Sequence, residues 1–231
     1  YMGGDSKEAE VPPALREQAV ASREKLVETA VEIDDELINK YLEGQPINNE
    51  EIFAAIRKST VAGRLVPVFA GSALKGMGAR QALSGICSYL PSPEEKGAIV
   101  AKNVSTGNPE EIKPDAESPL TGLVFKTTAD PYVGKLSYFR VYSGIISSNS
   151  QVWNANKNSM ERIGQLFTML GKNQQTVPQV AAGDIGAVAR LSLTTTGDTL
   201  CAREHPVVLP GIEFPKANFS MSIQPQAKTD L

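Results

Sequence analysis

The apolar pattern changes period near residue 97, and that change divides the chain into two unlike parts. Before it, Leu15, Ala19, Leu26, Ala30, Ile33, Leu37 and Tyr41 recur at steps of three, four or seven. That is the spacing of one face of a helix or a pair of helices. After it, short stretches alternate at period two. Turn signals cut them at Asp130-Pro131, Ser143-Gly144, Ala182-Gly183-Asp184 and Thr196-Gly197-Asp198. Regular short strands with such punctuation predict a small antiparallel β-barrel.

Within the first part, Pro12-Pro13 suits a helix start, and Gly44 followed by Pro46 suits a stop. A second helix should be capped by Asn48 or Asn49, bury Ile52, Ala55, Ile56 and Ser59, and end at Gly63. Leu65-Val66-Pro67-Val68-Phe69-Ala70 then reads as a buried strand, followed by a glycine-rich loop, Gly71 to Gly78. A helix with Leu83, Ile86, Cys87 and Leu90 inward comes next, stopped by Pro91-Ser92-Pro93. A parallel strand cannot stand alone in a sheet. The fold class expected is therefore an α/β fragment, helices plus one βα unit, followed by the antiparallel barrel. Strands are expected at Leu120–Thr127, Lys135–Ser143, Gln151–Asn154, Met160–Met169, Ile185–Leu191 and Thr199–Arg203, with a last one opening at Phe219.

Composition excludes several classes. With 41% hydrophobic and 21% charged residues in 231, the chain reads as globular rather than disordered or collagenous. Cys87 and Cys201 fit no zinc or redox spacing and suit a reducing compartment, so a cytoplasmic location is expected. No apolar run is long enough to span a bilayer, and Tyr1 to Asp5 do not read as a signal peptide. Residues 1–97 carry a net charge of −4 and residues 98–231 a net charge of +1. Between 135 and 190, six basic side chains face only Glu161 and Asp184. This is a weak pointer to an anionic partner.

No catalytic or metal constellation emerges. Gly71 and Gly76 have the glycine spacing of a phosphate-binding loop, but Met77 and Gly78 stand where lysine and a hydroxyl are needed. The loop is either a base-binding loop working through amides near Ser72, Ala73 and Leu74, or a plain turn. Asp130 to Lys135 reads as a turn. Asp184 and Asp198 follow glycines in turns, and Asp34-Asp35-Glu36 reads as a solvated helix face. Cys201 and His205 lack the third group a nucleophilic pair requires. Lys157, Arg162 and Lys172 lie in or beside loops where they could touch phosphates.

A set of motifs occurs in one order: Lys40-Tyr41-Leu42-Glu43-Gly44, Pro67 to Lys75, Tyr89-Leu90-Pro91-Ser92-Pro93, Asp130-Pro131-Tyr132-Val133-Gly134-Lys135, Arg140-Val141-Tyr142-Ser143-Gly144, Ala182-Gly183-Asp184 and Thr196 to Cys201. Together they resemble bacterial elongation factor G, a translational GTPase, over about Pro12 to Asp230. The resemblance implies a division into residues 1–97, the C-terminal part of the G domain with an inserted helical subdomain; 98–206, the β-barrel second domain; and 207–231, the start of the third domain.

It further implies that Ser72, Ala73 and Leu74 are a remnant of the guanine-binding loop, and that Lys157, Arg162 and Lys172 contact small-subunit ribosomal RNA. The intact protein would use GTP, GDP and magnesium in ribosomal translocation. The phosphate clamp, the magnesium-binding Asp-x-x-Gly and Asn-Lys-x-Asp are not found in this sequence. The fragment is therefore expected to be inactive, to hold no cofactor, and to be monomeric, with no membrane or DNA partner. The family usually has Asn after the loop lysine, where Gly76-Met77 follow Lys75 here. That leaves a divergent paralogue acting in ribosome protection or recycling as an alternative. A self-contained RNA-binding β-barrel is another.

Overall fold

The computed structural model describes residues 10–32, 35–130 and 134–222. Its contacts divide the chain into two units, Tyr1–Ser92 and Pro93–Leu231.

In the first unit a single 3-10 turn, Pro13–Leu15, leads into α1 (Arg16–Val31), with α2 (Asp35–Leu42) after it. Gly44 then takes φ 67° and ends the helical run. Helix α3 (Asn49–Val61) begins with a reciprocal cap. The Glu51 amide donates to Asn48 Oδ1 at 2.9 Å, and the Asn48 amide donates to Glu51 Oε2 at 3.0 Å. Two otherwise orphaned amides are thereby satisfied. Ile52, Ala55, Ile56 and Ser59 are all buried, as their spacing predicts, and the first three pack with Ala30, Val31 and Leu37. The Ser59 hydroxyl goes inside because it donates to the Ala55 carbonyl at 2.7 Å.

The stripe expected along α1 is only partly realised. Its last turn, Ala30 and Val31, is buried, whereas Leu26 and Tyr41 of α2 are each 44% exposed. The core forms where α1, α2 and α3 converge, joined by Val27, while Val20 and Leu26 stay exposed.

A larger difference follows. Residues 65–70 form no ladder among the described residues, and Val66 and Val68 are 82% and 89% exposed. Helix α4 (Ala79–Tyr89) turns Gly85 inward, against the Phe69 ring, and leaves Leu83, Ile86, Cys87 and Leu90 exposed. The expected inner face of α4 is therefore the outer one here. An extended apolar segment needs a neighbouring strand for its amides and a second layer for its side chains. Among the described residues no strand pairs with it, and only Leu65 and Phe69 are packed, against the helical core and α4.

The second unit starts with the turn of helix α5 (Pro93–Lys96) and continues as strands β1 (Ile99–Asn103), β2 (Pro109–Ile112), β3 (Thr121–Asp130), β4 (Gly134–Ser143), β5 (Ile145–Ser147), β6 (Gln151–Asn154), β7 (Ser159–Arg162), β8 (Leu166–Leu170), β9 (Asn173–Val177), β10 (Gln179–Ala181), β11 (Ile185–Ala189), β12 (Thr199–Cys201) and β13 (Val207–Val208). Eight strands form one antiparallel sheet in the order β7-β6-β12-β3-β4-β11-β8-β9. Pairs β5–β10 and the trio β13-β1-β2 complete it, also antiparallel.

The sheet curls round one core of Val124, Phe139, Val141, Ile146, Leu166, Val188 and Leu200. Among the described residues no ladder joins the two edge strands, so the barrel expected from sequence is a curled sheet rather than a hydrogen-bonded ring. A register shift between Val124 and Lys126 bends β3 against β4. Leu123, Tyr142 and Trp153 point away from this core and pack under β1, β2 and β13, against Ala101, Ile112 and Val207.

The strand expected at Met160–Met169 is two strands. They part at Ile163-Gly164-Gln165, where the Ile163 amide donates to Ser150 O and Gly164 O accepts from the Asn149 amide. The strand expected from Phe219 forms no ladder in its described part, and its remainder lies outside the described residues. So do Pro131, Tyr132 and Val133 of the turn after β3, and Asp34 of the acidic helix run.

Candidate functional site

The loop after residue 70 is a tight hairpin. Ser72 and Met77 exchange backbone hydrogen bonds, at 2.9 Å from the Ser72 amide and 3.1 Å from the Met77 amide. The Gly76 amide closes the turn on the Ala73 carbonyl at 3.2 Å, with Gly76 at φ 66° and Gly78 at φ 75°. Of the three residues expected to face a base, Ser72 has its amide committed to the hairpin. No described residue accepts from the Ala73 and Leu74 amides, and Leu74 is 98% exposed. The loop thus presents two adjacent open N–H groups, a donor pair suited to a carbonyl oxygen. Among the described residues no group of three or more His, Cys, Asp or Glu could hold a metal ion.

In the second unit the expected phosphate-contacting residues are all exposed but do not converge. Lys157 lies in the turn between β6 and β7, held by its amide donating to Asn154 Oδ1 at 2.9 Å. Arg162 ends β7 at its other end, and Lys172 sits in the β8–β9 turn. Arg162 shares a cleft of about 440 Å³ with Phe167, Arg190 and Ser192. Arg190 takes the left-handed conformation, φ 60°, its amide donating to Lys135 O at 2.8 Å. No local signal in the sequence marks that backbone, because glycine or asparagine is the usual occupant.

The other sequence candidates are structural. Asp198 is buried and accepts from the Thr195 amide at 2.8 Å and from Asn154 Nδ2 at 3.1 Å, whereas Asp184 is exposed. Cys201 is fully buried, which pushes its thiol pKa up and leaves it a poor nucleophile. His205 pairs with Glu110, at 2.7 Å, and not with Cys201. Sequence reasoning missed the role of Glu161. It is 2% exposed, and its carboxylate takes the amides of Ser192 and Leu193 and the Thr194 hydroxyl. Its position opposite basic neighbours hid that, since charge alone suggests a solvated face.

Residues 119–203 match the family model described as elongation factor G domain 2. Residues 119–203 are thus of the elongation factor G domain 2 type, and a helical unit precedes them in the chain. Over 99% of its length the chain is also similar to a crystal structure of a Thermus thermophilus protein, with 28% identity and a TM-score of 0.74. The chain spans 32% of that protein's length. Among the described residues no helix is long and apolar enough to cross a membrane.

Proposed function

We propose that the chain is part of a ribosome-dependent translocation GTPase in which these two units link the nucleotide pocket to the small subunit. The observation that carries this reading is the domain 2 match at residues 119–203, in a chain whose preceding unit ends in a loop with open amides at Ala73 and Leu74. The bare segment 65–70 and the outward apolar face of α4 support it. Both are surfaces built to be covered by further strands of a nucleotide-binding sheet. They weigh against a self-contained RNA-binding barrel, which would bury that segment within its own residues.

In this reading Ala73 and Leu74 donate to the base oxygen of a guanine nucleotide. Phosphate clamping and magnesium binding come from outside the 231 residues. This chain alone therefore binds GDP and GTP too weakly for calorimetry at micromolar concentrations. Micromolar binding by the chain alone overturns the reading. Lys157, Arg162 and Lys172 contact ribosomal RNA backbone, so association with small subunits weakens as salt rises. Replacing any one of them by alanine reduces the slope of log K against log salt by about one for the phosphate which that side chain neutralises. A slope unchanged in all three variants removes these residues from the interface.

A further inference from the structure

A second feature lies apart from the loops discussed above and does not depend on the proposed function. Arg140 sits in the middle of β4, paired with Leu123 of β3 on one side and Ile185 of β11 on the other, so its backbone is held from both flanks. Two residues on, and therefore on the same face, the Tyr142 ring lies under the guanidinium, 5.5 Å from ring centroid to Cζ. Tyr142 is itself fixed by packing beneath the β13-β1-β2 sheet. The Arg140 Nε is buried with no acceptor, and among the described residues the guanidinium has no hydrogen-bond or ion-pair partner. Nε is enclosed, so the terminal amines of the guanidinium are the donors left for an acceptor from outside.

The group faces a cleft of about 320 Å³, wholly within the second unit, lined also by Lys96, Ile99, Ile112 and Pro114. No carboxylate lines it among the described residues. Two cations with no ion-pair partner among the described residues favour an anion of more than one charge. The planar fork of arginine matches an oxyanion with two acceptor oxygens. The aliphatic floor of Ile99, Ile112 and Pro114 suits an apolar body attached to that anion. The volume falls at the small end of ligand sites.

We propose that this cleft is a binding site for a small organic phosphate monoester, its oxygens held by Arg140, its charge shared by Lys96 and its body seated on the aliphatic floor. Titration of the full chain with inorganic phosphate and with phenyl phosphate, followed by calorimetry and by the amide shifts of β4, tests it. Both ligands should saturate, with phenyl phosphate the tighter by about tenfold, since the floor rewards an apolar body. Arg140→Lys keeps a charge but loses the fork, and should weaken both by about tenfold or more. Lys96→Ala, at an exposed position, should weaken both by a few-fold without altering the melting temperature.

Arg140→Lys is read only if its melt matches the parent; otherwise Lys96→Ala and the two-ligand comparison decide. Saturable binding that is equal for the two ligands overturns the organic-body assignment. Absence of saturation up to about 20 mM, or binding unchanged in both variants, overturns the site, the Arg140 contribution resting on its bidentate fork.

Discussion

The Glu161 carboxylate accepts the Thr194 hydroxyl at 2.9 Å inside the second unit, with the amides of Ser192 and Leu193 on its other oxygen at 3.2 and 3.1 Å. Thr194 also accepts from Asn154 Nδ2 at 3.0 Å, and that amide group reaches Asp198 as well. One carboxylate thus pins the loop after β11 to the hairpin of β6 and β7.

Removing Glu161 should show the difference between replacing and orphaning a partner. Glu161→Gln can keep one oxygen on the two amides, while the Thr194 hydroxyl reverses its role. The expected loss is about 1 kcal/mol. Glu161→Ala leaves the part-buried amides of Ser192 and Leu193 and the buried Thr194 hydroxyl without their acceptor and should cost about 1–3 kcal/mol. Urea denaturation followed by Trp153 fluorescence checks both, with the slope unchanged. Equal losses for the two variants would contradict the hydrogen-bond account.

Gly186→Ala tests packing in the same unit. A Cβ there would lie 2.7 Å from Phe139 Cζ and 2.8 Å from Val180 Cγ2, and both neighbours are buried. Neither can retreat, so overpacking should lower stability by about 1–3 kcal/mol or more. Gly85→Ala meets the Phe69 ring instead, which is 46% exposed and free to swing outward. Its cost should be the smaller of the two in parallel thermal melts.

Acid sensitivity has an identifiable contributor. The Asn103 amide, and after it the His205 ring, hold the Glu110 carboxyl below its ordinary pKa. A carboxyl lowered in the folded state contributes stability above its unfolded pKa, near 4.5, and that contribution is lost as pH falls through the folded value. Glu110→Gln should therefore flatten the acid side of a stability-against-pH curve. An unchanged acid limb would remove Glu110 from the account.

In the first unit, Asn48→Ala should lose one half of the cap on α3 and cost about 1 kcal/mol. Asn48→Asp should restore most of it. Helix content by circular dichroism through a thermal ramp is the readout, and identical melts for the parent and Asn48→Ala would exclude the cap as a stabilising element.

Much of this architecture is legible in the residues. Asn48, its glutamate partner three residues on, and the four-residue inner face of α3 are all local, and each lies where spacing places it. Gln151–Asn154 is read correctly as a strand for the same reason, being short, alternating and bounded by turns. The run at 65–70 is read as a buried strand and is bare, because an apolar pattern records the surroundings a segment is built for and not which residues provide them. Likewise Leu83 and Ile86 of α4 carry the right periodicity, yet nothing among the described residues lies over them. Arg140 and Glu161 could not be read at all. Their partners are 31 or more residues away or missing, and a charged residue within a strand looks the same whether it is solvated or enclosed.

The bare segment at 65–70 has a practical corollary. Its open amides at Val66, Val68, Phe69 and Ala70, beside the outer side chains of α4, form a template on which a second molecule can register. Isolated preparations should therefore self-associate as concentration rises. Added salt should aggravate this rather than relieve it, because the adhesion is oily and not ionic.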